Sequence, residues 1–185
     1  MRKAFFLSVA VFILGSMAAA QIPTSGNIFA GYSYYNTNVN GLNRQSINGW
    51  EGSLEGKFFP IPFLGIVADF SANYGNLSFP ILCPAPGPCG PASVNSHVDN
   101  FLIGPRASIS VGKFRPFAEA LVGFGHINTN GFGSDTSVAS GIGGGLDYKL
   151  IRLVAWRFQG DYIHTHLFNL AQNNLRLSTG IVIHF

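Results

Sequence analysis

Apolar and polar residues alternate one by one along most of the chain beyond residue 20. In residues 48–59, Trp50, Leu54 and Phe58 occupy even positions, whereas Glu51 and Glu55 occupy odd positions. A period of two is that of a β-strand whose two faces meet different surroundings. The pattern therefore predicts a membrane-spanning β-barrel, in which the outer wall faces lipid and the inner wall does not.

Eight segments carry this alternation, at about 27–36, 48–59, 63–74, 98–111, 115–127, 137–148, 153–165 and 174–185. The connections after the second, fourth and sixth segments are short. Longer polar connections follow the other segments, at about 37–47, 75–97, 128–136 and 166–173. Outer-membrane barrels have short periplasmic turns and longer outer loops. We therefore predict an all-β, eight-stranded antiparallel up-and-down transmembrane barrel with both termini in the periplasm.

Aromatic residues cluster where these strands would meet the two membrane interfaces, as expected of a membrane barrel. Trp156 and Phe185 lie near the short turns, and Trp50 and Tyr162 lie near the longer loops. Pro105 does not fit the pattern, because every strand of a closed barrel has two neighbours and proline offers no N–H. We expect a β-bulge at this position.

Charged residues of the alternating segments fall on the parity opposite to the apolar one, so they would face the lumen. Charges in such a place are tolerated only if they are paired or hydrated. Arg157 and Asp161 share one wall of the seventh strand, and Arg176 comes from the eighth. The sequence thus predicts a buried polar network of ten residues, namely Glu51, Glu55, Lys57, Asp69, Arg106, Glu119, Asp147, Arg157, Asp161 and Arg176.

Three inward glycines in residues 141–145 leave space beside the sixth strand. Phe117 and Leu121 from one side, or Arg157 and Gln159 from the other, could fill that space by simple packing. Alternatively, the glycines line a narrow path for water.

The composition agrees with a membrane protein, since 10% of the residues are charged and 47% are hydrophobic. Soluble domains carry about 25% charged residues. After the first residues, no stretch approaches 18 consecutive apolar residues, and only helices and closed barrels satisfy the backbone in lipid. Beyond residue 20 the formal charge is +1, from 9 basic and 8 acidic residues, without a basic run for nucleic acid.

The N-terminus combines a basic start, a short apolar run and a small-residue segment that ends at Ala20. These are the parts of a secretory signal peptide. We assign residues 1–20 to it and residues 21–185 to one barrel domain, with an uncleaved anchor as the alternative.

The two cysteines, Cys83 and Cys89, lie in one loop rich in proline and glycine. Export implies an oxidising compartment, so we expect a disulfide between them, with free thiols as the alternative. No histidine or acid lies beside them, which disfavours a metal site, and nothing in the sequence indicates a cofactor.

Several short stretches resemble the outer-membrane β-barrel family of OmpA-type and small porin-like proteins. The resemblance covers essentially the whole chain beyond residue 20, and it rests on the stretches 31–34, 49–51, 67–70, 104–106, 143–148 and 175–185. It implies a monomeric barrel in outer-membrane lipid, delivered by periplasmic chaperones and inserted by the outer-membrane assembly machinery. It covers the barrel only, so the peptidoglycan-binding domain of full-length OmpA-type proteins is not expected here.

In that family the last strand is the assembly signal, with a terminal aromatic residue and alternating apolar residues. Thr179 departs mildly from this pattern. The matching residues here are Phe185, Ile183, Ile181 and Leu177.

Four functions compete on this sequence. The leading hypothesis is a non-enzymatic outer-membrane barrel with a structural or surface-interaction role and an unidentified loop ligand. The second is a narrow small-solute channel of porin type, and the third is a barrel enzyme that modifies lipid. The fourth is a soluble periplasmic barrel of lipocalin type, disfavoured because its apolar residues would face inward. The candidates for catalysis, or for a metal at the two neighbouring histidines, are His126, Ser134, His164 and His166.

Overall fold

The computed structural model describes residues 25–38, 44–57, 61, 63–79, 92–131 and 133–185. A short 3-10 helix, Leu167–Asn169, precedes the last strand. The eight strands are β1 Ser25–Thr37, β2 Gln45–Lys57, β3 Leu64–Phe79, β4 Ala92–Ser108, β5 Phe114–Thr129, β6 Gly133–Lys149, β7 Val154–Thr165 and β8 Gln172–His184.

Each strand pairs with its neighbours in sequence, and β1 pairs with β8 to close the sheet into a barrel. At this closure Gly31 lies opposite Gly180 and Ser33 lies opposite Ser178, in antiparallel register. The predicted eight-stranded antiparallel barrel is therefore confirmed.

The alternation of apolar and polar residues along the sequence corresponds to the outer and inner faces of the barrel wall. Glu51 and Asp69 are fully buried in the lumen, whereas their neighbours Trp50 and Phe70 are exposed on the outside. Because side chains alternate strictly along a strand, one such pair fixes the orientation of every other residue in it. The large apolar residues that remain exposed follow all eight strands, and exposed apolar surface of this extent marks contact with a membrane.

The two ends of the barrel differ in their connections and in how far the strands extend. We call the end with Ser25, Phe185 and the connections after β2, β4 and β6 the turn end, and the opposite end the loop end. At the loop end, β3 continues to Phe79 and pairs with β4 from Ala92 onwards. Ladder pairing between β5 and β6 likewise continues to Thr129 opposite Gly133. These two hairpins extend beyond the ladders that β3 forms with β2 and β6 forms with β7.

The connection after β5 is much shorter than the sequence indicated. Residues 130–132 alone separate β5 from β6, and Gly131 and Gly133 have φ angles of 85° and 89°. Glycine tolerates such left-handed conformations, which permits the tight turn. The prediction of a long loop at residues 128–136 is therefore wrong, because its polar residues belong to the ladder.

Pro105 causes a gap in the ladder without a bulge. Ile103 pairs with Val122 and Arg106 pairs with Glu119, so the register on β5 is the same on both sides of the gap. On the other side, Pro105 pairs normally with Ile66 of β3. The expected bulge is wrong, since no residue is inserted and the proline interrupts pairing on the β5 side only.

In the part of the chain that the structure describes, no helix is long and apolar enough to cross a membrane. The proposed signal peptide, residues 1–20, lies outside the described residues, as do Cys83 and Cys89 and their predicted disulfide.

Candidate functional site in the barrel lumen

A first ionic cluster fills the lumen near the turn end. Arg106 donates from Nε to Glu119 Oε2 at 2.6 Å and from Nη1 to Glu55 Oε2 at 3.3 Å. Arg115 donates from Nη2 to the other oxygen of Glu55 at 2.7 Å. Arg106 and Glu55 are fully buried. We call this group the lower cluster; it comprises Glu55, Arg106, Arg115, Glu119, Asp147 and Arg157.

Arg157 completes the lower cluster with a two-point contact to the adjacent strand. Its Nε and Nη2 donate to the two carboxylate oxygens of Asp147 at 2.6 Å and 2.9 Å. The buried ring of Phe117 lies between two guanidinium groups, 4.5 Å from Arg106 and 4.6 Å from Arg157. Bidentate pairing and cation–π contact both suit the planar guanidinium, so lysine would not replace either arginine without loss.

A second group, the upper cluster, surrounds one arginine with three carboxylates. Arg176 contacts Asp69 at 2.6 Å, Asp161 at 2.8 Å and Glu51 at 3.1 Å. Asp69 lies on β3 and Asp161 on β7, so the contacts reach across the lumen. Ser178 also donates a hydrogen bond to Glu51. A lone buried charge is very unfavourable, and this arrangement offsets it by pairing.

Gln159 joins the two clusters. Its Nε2 lies 3.0 Å from Glu51 and 3.0 Å from Asp161 in the upper cluster, and 3.0 Å from Glu119 in the lower cluster. The lumen charges therefore form one network that contacts strands on every side of the barrel.

Large side chains occupy the space beside the inward glycines of β6. A Cβ atom added to Gly145 would lie 2.7 Å from the ring of Phe117, and one added to Gly143 would overlap the carboxylate of Asp161. Simple packing is therefore what the structure shows at these two positions.

An apolar plug packs beside the ionic network and extends above it to the loop end of the lumen. Leu167 of the 3-10 helix is buried in it, and Gln172 Nε2 donates to the carbonyl oxygen of Leu167 at 3.1 Å. Phe168 donates its backbone N–H to Asp135 of β6 at 2.5 Å, which holds the helix over the barrel. The buried members of the plug are Tyr35, Ile47, Val67, Leu77, Val98, Leu102, Leu121, Ile127, Ala139, Ile163 and Leu167.

The structure places nine of the ten residues of the predicted polar network in the buried lumen. The tenth, Lys57, is half-buried at the turn end. Sequence analysis missed Arg115, whose odd position on β5 matches that of Glu119 and would have placed it inside. Asp161 pairs with Arg176 and Arg157 pairs with Asp147, so the two residues of the β7 wall belong to different clusters.

Among the residues considered for catalysis or metal binding, His164 and His166 lie together with ring centroids 6.1 Å apart, and His126 and Ser134 lie on β5 and β6. His126 Nδ1 shares a hydrogen bond with Thr136 at 2.7 Å, and His164 Nδ1 shares one with Asn173 at 2.8 Å. Ser134 lies opposite Asn128 in the β5–β6 ladder, and Ser137 accepts the backbone N–H of His166. Nucleophilic catalysis requires a serine and a base within hydrogen-bond reach, and these contacts do not provide it. Within the described ranges, no group of three or more possible ligands could hold a metal.

The residues assigned to the assembly signal lie on the outer face of β8. Leu177, Ile181, Ile183 and Phe185 are all exposed there. Phe185 also exchanges two backbone hydrogen bonds with Gly26, at 3.0 Å and 3.1 Å, which completes the closure between the two termini.

Comparison with known proteins identifies the fold. No family model matches the chain, and no curated protein matches it. The crystal structure of Neisserial surface protein A (NspA) is similar, with 14% identity, coverage of 86% of this chain and 97% of that one, and a TM-score of 0.67. OprG from Pseudomonas aeruginosa gives 10% identity, 89% and 97% coverage, and a TM-score of 0.58.

Ail, the attachment invasion locus protein of Yersinia pestis, gives 15% identity, 86% and 98% coverage, and a TM-score of 0.56. Identities this low show likeness of fold rather than of activity. With eight strands, a closed wall and an apolar exterior, the chain has the fold of the eight-stranded outer-membrane β-barrels.

Proposed function

We propose that this protein is a non-enzymatic outer-membrane barrel with a closed lumen and a structural or surface-interaction role. The loop end faces outward and both termini face the periplasm, following the usual arrangement of short turns and longer loops. The chain acts as a monomer, and the outer-membrane assembly machinery inserts it through the apolar outer face of β8.

The filled lumen is the observation that carries this proposal. Arg106, Arg157 and Arg176 are fully buried and each contacts at least one carboxylate, so each buried cation has a partner inside the lumen. The apolar plug then covers the network at the loop end. An eight-stranded barrel encloses a space that side chains can fill, and this filling favours a closed barrel over a channel.

A role at the surface is supported by the projecting hairpins and by the fold neighbours. One of these, Ail, is named for attachment and invasion. The two hairpins β3–β4 and β5–β6 carry the surface that a partner would meet.

Two measurements test the closed barrel. The folded protein should migrate differently on a gel before and after boiling, as intact outer-membrane barrels do. In planar bilayers, the same preparation should give no steady unitary current steps. Steady steps that change when Arg157 is replaced by glutamine would contradict the proposal and favour the small-solute channel.

The enzyme hypothesis has its own test. Cells that overproduce the protein should show unchanged lipopolysaccharide acylation. A change that disappears in the His126→Ala or His164→Ala variant would overturn the non-enzymatic assignment.

A further inference from the structure

A cavity of about 210 Å³, which we call the turn-end mouth, opens at the turn end of the barrel. Arg115 and Asp147 of the lower cluster contribute to its lining. The cavity has room for several waters, since a volume of about 10–15 Å³ already holds one. Residues from several elements line it, including the first residues of β1 and β5 and the last residues of β2, β6 and β8. Its basic lining residues are Lys57, Lys113, Arg115, Lys149 and Arg152.

The charge around this cavity is strongly one-sided. Five of the nine basic residues beyond residue 20 line it, whereas only one of the eight acidic residues, Asp147, does so. Asp147 is already paired with Arg157 at 2.6 Å. Glu55, the nearest acid above the mouth, is held by Arg115 and Arg106 at 2.7 Å and 3.3 Å. The carboxylates near the mouth are thus engaged, and the field there is positive.

The basic residues reach the cavity from separate parts of the chain. Lys57 ends β2, Lys113 belongs to the β4–β5 connection, Lys149 ends β6 and Arg152 belongs to the β6–β7 connection. The fold therefore brings together positive charges that repel one another. Counter-ions from the solution can balance these charges. A concave wall lined by several cations can also balance them by binding a compact anion.

We propose that the turn-end mouth binds a phosphate group. Phosphate offers several acceptor oxygens and a high charge in a small volume, which suits convergent lysine and arginine donors. The hydroxyl groups of Ser25 and Ser110 in the lining add neutral donors. This inference goes beyond the proposed function and does not depend on whether the lumen conducts.

Two sources of phosphate share this chemistry. One is the headgroup of an anionic phospholipid, because the exposed apolar residues Ile109, Val111 and Leu153 lie beside the mouth and could contact its acyl chains. The other is soluble phosphate that enters along the barrel axis.

Isothermal titration of the folded protein in a phosphate-free maltoside detergent tests the proposal. We expect saturable binding of inorganic phosphate or of short-chain phosphatidylglycerol. The Lys149→Gln/Arg152→Gln double variant should raise Kd about tenfold, equivalent to about 1.4 kcal/mol. The matched control is Arg44→Gln at the loop end, which should leave Kd unchanged, and heat-modifiability should verify folding of each variant.

A salt series on the unmodified protein provides a second test that needs no variant. Binding should weaken steeply between about 0.01 M and about 1 M salt, over which the Debye length falls from about 30 Å to about 3 Å. Absence of saturable binding, an equal Kd in the double variant, or insensitivity to salt would each overturn the proposal.

The two probes distinguish the sources. If phosphatidylglycerol binds more tightly than inorganic phosphate while phosphatidylcholine does not bind, the site takes a lipid headgroup. If inorganic phosphate binds at least as tightly, the site takes soluble phosphate. Either result supports a phosphate site at the turn-end mouth.

Discussion

At the scale of the residue, Arg176 is a side chain whose replacement we expect to destabilise the barrel strongly. It is fully buried and contacts three carboxylates, on β2, β3 and β7. A buried ion pair adds little stability compared with a well-packed apolar substitute, but the loss of one partner leaves a charge without compensation. The upper cluster is therefore fragile toward single changes.

Arg176→Met should lower the free energy of unfolding by about 3–5 kcal/mol, because three carboxylates lose their cation. Urea unfolding in lipid vesicles measures the change. Arg44→Gln, at an exposed position where the guanidinium donates to Asn36, should change the free energy of unfolding by no more than about 0.5 kcal/mol.

Neutralising the carboxylates should restore part of that loss. In the Arg176→Met background, Asp69→Asn and Asp161→Asn together remove two of the three unpaired charges. If the triple variant is no more stable than Arg176→Met alone, unpaired charge is not the cause of the instability.

At the scale of the element, β6 depends on its small inward residues. Gly145 leaves room for the ring of Phe117, which in turn lies between Arg106 and Arg157. Gly145 therefore affects the positions of two arginines of the lower cluster indirectly, through the ring of Phe117.

Gly145→Ala should destabilise the barrel by about 1–3 kcal/mol, since the added Cβ would meet both Phe117 and the backbone of Phe158. The matched control is Gly52→Ala on β2, where the nearest atoms to an added Cβ are 3.6 Å and 3.7 Å away. Thermal unfolding in the same detergent compares them. Equal midpoints for the two variants would mean that the lumen at Gly145 yields easily.

The elements also show what the sequence can predict. Which face of each strand points inward follows from a period of two, and the lumen position of Glu51 or Asp161 could be read from it. The outer ends of β3 and β4 could not, because residues 92–97 are mostly small and polar and because the apolar Leu77 falls on the inward parity of β3. Nor could the partners of Arg176 be found, since its contact with Asp69 depends on how the whole sheet closes.

At the scale of the whole molecule, the apolar outer wall has a depth profile. Phe70 lies near the middle of β3, opposite Gly52 and Phe101, whereas Ile183 lies close to the turn end, opposite Ile28. Both side chains face outward.

Phe70→Arg should therefore cost more stability than Ile183→Arg. The expected losses are about 2–4 kcal/mol at the membrane midplane and about 0–1 kcal/mol near the interface. Urea unfolding in vesicles of a single lipid composition measures both. Equal losses of stability would show that Phe70 does not lie closer to the membrane midplane than Ile183.

The uneven rim has a consequence for anything that approaches the cell. Beyond Ala139, where its pairing with β7 ends, β6 continues for six residues up to Gly133, which is about 20 Å along the strand and about 14 Å in height after the usual tilt. In the proposed orientation, the β5–β6 hairpin therefore stands above the β7–β8 ladder. A large partner would therefore meet the β5–β6 hairpin before the β7–β8 ladder, so recognition at this surface depends on the direction of approach.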